Sequence, residues 1–195
     1  MSIRSFIAVP VPEHIIDHLA RLHESVPHAA GKIRWVKATA MHLTCTFLGD
    51  IEAGQVDPIA EALETVSRAV SPFVTDLDGV GAFPNFRHPR VVWVGFDQGE
   101  DEIKELKLRI DEALQPLGIE PERRAFHPHL TLGRVKSEGL RGLLEEAAAA
   151  WTLPFENWVS GEVVLFKSVL GRHGPTYTSL ARLPLGGVGT GSVEV

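Results

Sequence analysis

The chain has 195 residues, 44% of them hydrophobic and 23% charged, and a formal net charge of −6 from 19 basic and 25 acidic side chains. This is the composition of a globular chain rather than a disordered one, and the length of one domain that holds a core without disulfides or metal. The acidic balance argues against a general coat for duplex DNA or RNA, which would carry a basic stripe, but leaves room for a pocket where two or three cations hold one phosphate.

Ser5-Phe6-Ile7-Ala8-Val9 is a short apolar run stopped by Pro10 and Pro12, which predicts a buried strand and lacks the layout of a signal peptide. From Glu13 to about Val26, the residues Ile15, Ile16, Leu19, Leu22 and Val26 recur at spacings of three and four and predict an amphipathic helix. Gly31 breaks it, and Ile33-Arg34-Trp35-Val36 reads as extended. Residues 41–48 predict a strand that stops at Gly49-Asp50. A second helix over 53–70 places Val56, Ile59, Leu63, Val66 and Val70 on one face and ends before Pro72. The order then repeats. A strand at 90–96 precedes a helix from 101 to about 115, with Ile103, Leu106, Ile110 and Leu114 inward. A strand at 126–135 precedes a helix over 138–151, with Leu140, Leu143, Leu144 and Ala147 inward, and strand returns from Phe155.

The spacing repeats with the order. Ile7 precedes His42 by 35 residues, as Val94 precedes His129, and Phe73 precedes Gly79 by six, as Phe155 precedes Gly161. The chain reads as a duplication of a strand–helix–strand–helix–strand lobe, two copies packed side by side in a single domain over 1–185. Residues 186–195, rich in glycine, have the composition of a flexible tail. Cys45 is the one cysteine, which excludes an internal disulfide and a Cys-rich zinc site. No apolar run approaches the ~18 residues of a membrane span, so the expectation is a cytoplasmic monomer.

Each lobe carries one His-x-Thr motif, His42-Leu43-Thr44 and His129-Leu130-Thr131. On a strand, residues two apart share a face, so each histidine projects with its threonine while the leucines turn to the apolar side. Under approximate two-fold symmetry the two pairs face each other across one cleft. Such a set suits phosphoester chemistry without a metal. Near neutral pH one imidazole is neutral and removes a proton from a nucleophile, while its partner is cationic and protonates the leaving oxygen. The hydroxyls of Thr44 and Thr131 donate to the non-bridging phosphate oxygens.

The chain resembles the 2H phosphoesterase superfamily and, within it, the RNA 2′,3′-cyclic phosphodiesterases once called 2′-5′ RNA ligases. The likeness rests on Arg4-Ser5-Phe6-Ile7-Ala8-Val9, on the run from Met41 to Gly49, on Gly81-Ala82-Phe83-Pro84 and Pro89-Arg90-Val91-Val92-Trp93, and on the run from Phe126 to Arg134. It implies a bilobal α/β (α+β) fold, with mainly antiparallel sheets and outer helices around a central cleft, and no cofactor. It also implies hydrolysis of an RNA 2′,3′-cyclic phosphate end, or of a cyclic nucleotide, to a 2′-phosphomonoester. In that scheme His129 is the general base on water and His42 the general acid on the 3′ oxygen, with no metal.

Arg134, three residues past Thr131, is the leading candidate for a cationic contact to phosphate or an RNA end. Arg123, Arg124 and His127, with Arg87, His88 and Arg90, form a local basic excess able to guide an RNA end. Phe47, Phe83 and Phe86 are candidate platforms for a terminal base. Cys45 reads as a small core residue. His127 with His129, and His14 with His18, have metal-pair spacing but no evident further ligand. Gly171-Arg172-His173-Gly174 lacks the Lys-Ser/Thr pair of a phosphate-binding loop, so no ATP-dependent ligase is written here. The alternatives to the hydrolase are a nucleotide or RNA-end binding module without turnover and a related enzyme acting on another cyclic phosphate or a 2′-5′ linkage.

Overall fold

Residues 5–9 are all buried, as expected of a strand covered on both faces. In the computed structural model, which describes residues 2–21, 24, 31–150, 157–171 and 174–186, this strand lies inside an eight-stranded sheet. In chain order the elements are β1 (Ser2–Val9), α1 (Glu13–Arg21), β2 (Ile33–Trp35), β3 (Leu43–Glu52), α2 (Val56–Ala69), β4 (Phe73–Thr75) and β5 (Asp78–Phe83). They continue with β6 (Val91–Gly95), α3 (Glu100–Leu114), β7 (Leu130–Val135), α4 (Arg141–Ala150), β8 (Trp158–Ser160), β9 (Glu162–Gly171) and β10 (Gly174–Pro184). The sheet runs β10-β9-β1-β3-β7-β6-β5, with β2 on the flank of β7, and β4 pairs with β8 in a separate ribbon. Every pairing is antiparallel.

The helices bury the stripes their spacing predicts: Ile59, Leu63 and Val66 of α2, and Ile103, Leu106, Ile110 and Leu114 of α3. They pack on one face of the sheet against Ile7, Leu43, Val92, Val94, Leu130, Leu132, Val163 and Leu165, each at most 1% exposed. Helix α3 is tied to β3 by a buried polar network. The Lys107 ammonium donates to the Asp111 carboxylate, which also accepts from the Thr46 hydroxyl at 3.2 Å.

The duplication is written into the sheet. A pseudo-two-fold axis between β3 and β7 exchanges β1 with β6, β9 with β5 and β4 with β8, while β2, on the flank of β7, and β10, at the end of the sheet, have no counterpart. The outer strands are traded. β5, from the first half, completes the β7-β6 sheet, and β9 with β10, from the second half, completes the β3-β1 sheet.

Register corrects the spacing used to detect the repeat. Val9 faces Leu43 and Val94 faces Leu130, so Val94 is equivalent to Val9 rather than to Ile7. In the β4–β8 ribbon Val74 faces Val159, so Phe73 corresponds to Trp158 and not to Phe155, which lies outside the described residues. Helical connections of unequal length had shifted the apparent alignment.

Other boundaries move for local reasons. β3 continues past Gly49-Asp50 to Glu52, because Gly49, at φ 70°, sits beside an extra residue, Leu48, that the ladder leaves unopposed. β7 starts at Leu130 instead of 126, just after Pro128, which has no N–H for a ladder. α1 is described to Arg21, and most of 22–30, all of 151–156 and the expected tail past Gly186 fall outside the described residues.

Gly81 faces Trp93 across β5 and β6, and a Cβ there would run into the indole ring. Gly81→Ala is therefore expected to destabilise the protein by about 2 kcal/mol. Gly54→Ala, where nothing lies within 4 Å of the added carbon, should change stability far less. Urea unfolding of the two variants checks this; equal effects would contradict the packing.

Candidate active site

β3 and β7 meet at one register pair, Leu43 opposite Leu130. Both leucines point into the helix-covered core. One step to either side, the pleat turns His42 with Thr44, and His129 with Thr131, to the opposite, open face. Antiparallel register sets His42 across from Thr131 and Thr44 across from His129. The two histidines are then diagonal neighbours, a relation that spans roughly 7–8 Å in a regular pair. One phosphate fits between two imidazoles at that separation. All four residues singled out from the motifs come together here, partly buried, and among the described residues no protein partner takes either threonine hydroxyl.

The same bulge occurs in both lobes. Ile7 faces Thr46 and Ala8 faces Thr44, which leaves Cys45 unopposed; Val92 faces Gly133 and Trp93 faces Thr131, which leaves Leu132 unopposed. A bulge resets the alternation of side chains. It therefore returns Phe47 and Arg134, equivalent residues five past their histidines, to the open face. Arg134 reaches the site for this reason despite its odd spacing from Thr131. Cys45 is 3% exposed, and burial pushes its thiol up to about 12, so it is an unreactive core residue.

Each imidazole is held by the backbone two residues upstream. The Nδ1 of His129 lies 2.7 Å from the His127 carbonyl oxygen, and His42 hydrogen-bonds the backbone of Ala40. A carbonyl can only accept, so Nδ1 of His129 carries the proton and, in the neutral ring, Nε2 keeps its lone pair. Aromatic rings complete the setting. His42 stacks on Phe6 (4.6 Å between centroids, 26°) and meets Tyr177 edge-on (5.1 Å, 87°). His129 meets Phe83 edge-on (5.0 Å, 83°) with Trp93 at 6.2 Å.

Burial in this apolar wall lowers both histidines. That of His42 falls to about 4, desolvation outweighing the hydrogen bond to Ala40. That of His129 falls through desolvation, opposed by the bond to His127 and reinforced by the charges of His127 and Arg134. Burial thus works against the imidazolium expected of one member of the pair: His42, the expected acid, holds its proton less tightly than a solvated histidine.

The other expected contacts divide. Phe83 is engaged with His129 and Phe86 packs on the core, while Phe47 is 58% exposed on the open face. Arg87, His88 and Arg90 lie in the 84–90 loop next to Phe83. Arg124, in contrast, lines a cavity of about 230 Å³ with Lys104, Lys107 and Phe126 on the α3 side, away from the histidines. Phe6, Tyr177 and Trp93 were not singled out as site residues, because aromatics on strands read as core. Among the described residues no group of three or more His, Cys, Asp or Glu side chains gathers where it could hold a metal ion, and no helix is long and apolar enough to cross a membrane.

Burial of His42 predicts a pH-dependent stability. An unfolded histidine titrates near 6.5, so between that value and about 4 the unfolded chain binds more protons. Stability is full above about 6.5 and declines as pH falls toward 4. Relative to His42→Gln, the wild type should lose up to about 3 kcal/mol between pH 7.5 and 4, measured by urea unfolding. Parallel losses in the two proteins would contradict the burial.

The relatives agree with this geometry. The model of the LigT like phosphoesterases matches the chain twice, at 9–93 and 94–177, starting at the two residues that the sheet register makes equivalent. An RNA 2′,3′-cyclic phosphodiesterase of Methanothermobacter thermautotrophicus is 33% identical over 181 residues, covering 92% of this chain and 97% of that protein. The crystal structure of TT0787 of Thermus thermophilus superposes with a TM-score of 0.77 at 25% identity, over 94% of this chain and 98% of that one. Escherichia coli LigT complexed with 3′-AMP does so with a TM-score of 0.76 at 26% identity, over 95% and 99%. With two matched repeats, one His-x-Thr motif in each, the chain belongs to the LigT-like phosphoesterase family.

Proposed function

We propose that the 1–185 domain hydrolyses RNA 2′,3′-cyclic phosphate ends to 2′-phosphomonoesters with two histidines and no metal. The observation that carries this reading is the diagonal placement of His42 and His129 beside two free threonine hydroxyls on one face. The names of relatives at about one-third identity support the substrate, and the 3′-AMP complex of E. coli LigT supports a nucleotide as the kind of ligand.

Nε2 of His129 takes a proton from water, and the water oxygen attacks phosphorus. The bond from phosphorus to the 3′ oxygen breaks, and the His42 imidazolium delivers a proton to that oxygen, leaving the phosphate on the 2′ oxygen. Thr44 and Thr131 donate to the non-bridging oxygens as charge builds there. His42 is the group whose lowered value makes it a strong acid once protonated. The anionic phosphate favours its imidazolium, so proton and substrate load together. Arg134 supports the charge from the second lobe, and the terminal base stacks on Phe47.

The test is product analysis with purified protein in EDTA. An oligoribonucleotide with a 2′,3′-cyclic end should yield the 2′-phosphate and a free 3′-OH. His42→Ala and His129→Ala should each lower kcat at least 100-fold while leaving the fold intact. Saturable binding with no product would instead identify a binding module, and a free 2′-OH in the product would reverse the two roles.

The pH profile is a second check. Both imidazoles titrate below their ordinary 6.5, so the singly protonated pair is most populated on the acid side of that value. The profile of kcat/KM should be bell-shaped with its maximum below pH 6.5. A maximum near pH 8 would exclude this pair as the titrating groups.

A further inference from the structure

The two motifs are symmetric, but their aromatic surroundings are not. Sheet register makes Phe6 equivalent to Val91, and Phe166 equivalent to Phe83. In the second lobe Phe83 stands edge-on to His129 at 5.0 Å. In the first, Phe6 lies flat on His42, and Phe166 is held off at 6.4 Å and 35°. The edge-on position is filled from elsewhere, by the chain's one tyrosine, at 5.1 Å and 87° from His42. That tyrosine sits on β10, an end strand without a counterpart in the other lobe.

We infer that Tyr177 is a positioning residue for His42, its ring closing the open edge of the imidazole and shielding it from water, so that the two otherwise equivalent histidines take different parts in the reaction. The inference builds on the proposed acid role of His42. Tyr177 also packs edge-on against Phe6 at 4.9 Å and 75°, so a single ring fixes both the imidazole and the surface it stacks on. The charged or titratable groups that the register and alternation turn to this face are Arg4 of β1, Asp50 of β3, His129 and Arg134 of β7, Glu162 of β9 and Tyr177 and Arg182 of β10, the glutamate and Arg182 paired with each other, and His127 lies beside His129. None of those charges contributes to the lowering of His42, which comes from desolvation. The ring therefore acts by excluding water. Its hydroxyl, near Arg4 and Arg134, is not required for that.

NMR titration of His42 and steady-state kinetics on a cyclic-ended oligoribonucleotide test this in Tyr177→Ala and Tyr177→Phe. The alanine variant should raise the His42 titration toward 6.5 and lower kcat about tenfold, with KM within twofold. Phenylalanine, which keeps the ring, should restore both. An unchanged His42 titration in Tyr177→Ala, or a Phe variant as impaired as Ala, would overturn the inference. Should alanine prevent folding, Tyr177→Thr, a β-branched residue that suits the strand but leaves the imidazole edge open to water, is expected to behave as described for alanine. If the wild type turned over no cyclic phosphate, the proposed function would fall, while the titration would still decide what Tyr177 does to His42.

Discussion

Leu43 facing Leu130 is the pair on which the site depends. Both are essentially inaccessible to water, and burying each contributes about 1.5–3 kcal/mol. Because a strand alternates its faces, driving these leucines under the helices obliges their neighbours to emerge on the other side. The core and the chemistry are two faces of one packing event. At neutral pH the uncharged imidazoles draw little on that gain; the penalty of about 3 kcal/mol falls on the charged form of His42 and is felt only as pH drops.

The second determinant is the repeated bulge at Cys45 and Leu132. Without it, strict alternation would turn Phe47 and Arg134 into the core, where an arginine would be ruinous and a phenylalanine useless to a ligand. With it, one backbone device supplies two unlike contacts, an aromatic plane on one side of the axis and a guanidinium on the other. The −6 net charge is no obstacle to such a site. Arg134 acts on His129 at close range, and distant acids are screened over about 8–10 Å.

The elements that depend on short-range periodicity were legible in the amino-acid sequence. Helices α2 and α3 have their apolar stripes where three-and-four spacing puts them, and the paired His-x-Thr motifs marked four residues that the fold gathers. Long-range register was not legible. The equivalence of Val9 with Val94 does not show in the spacing of this one sequence, since an extra residue in a connection shifts linear spacing without changing pairing. Gly49 looked like a strand end because glycine at positive φ serves both turns and bulges, and the partner strand decides between them. Tyr177 carried no local signal at all. Its importance lies in where β10 docks, which is a property of the sheet.

The traded outer strands bear on ancestry and assembly. Neither half of the chain owns a complete sheet: the first lends β5 and borrows β9, and the second does the reverse. Two copies of a single repeat, each lending its last strand to the other, would build the same face as a homodimer with a true two-fold axis through Leu43. In such a dimer both histidines would be chemically identical until an asymmetric substrate bound. Fusion into one polypeptide removes that degeneracy, because an added strand such as β10 then lies beside one imidazole only.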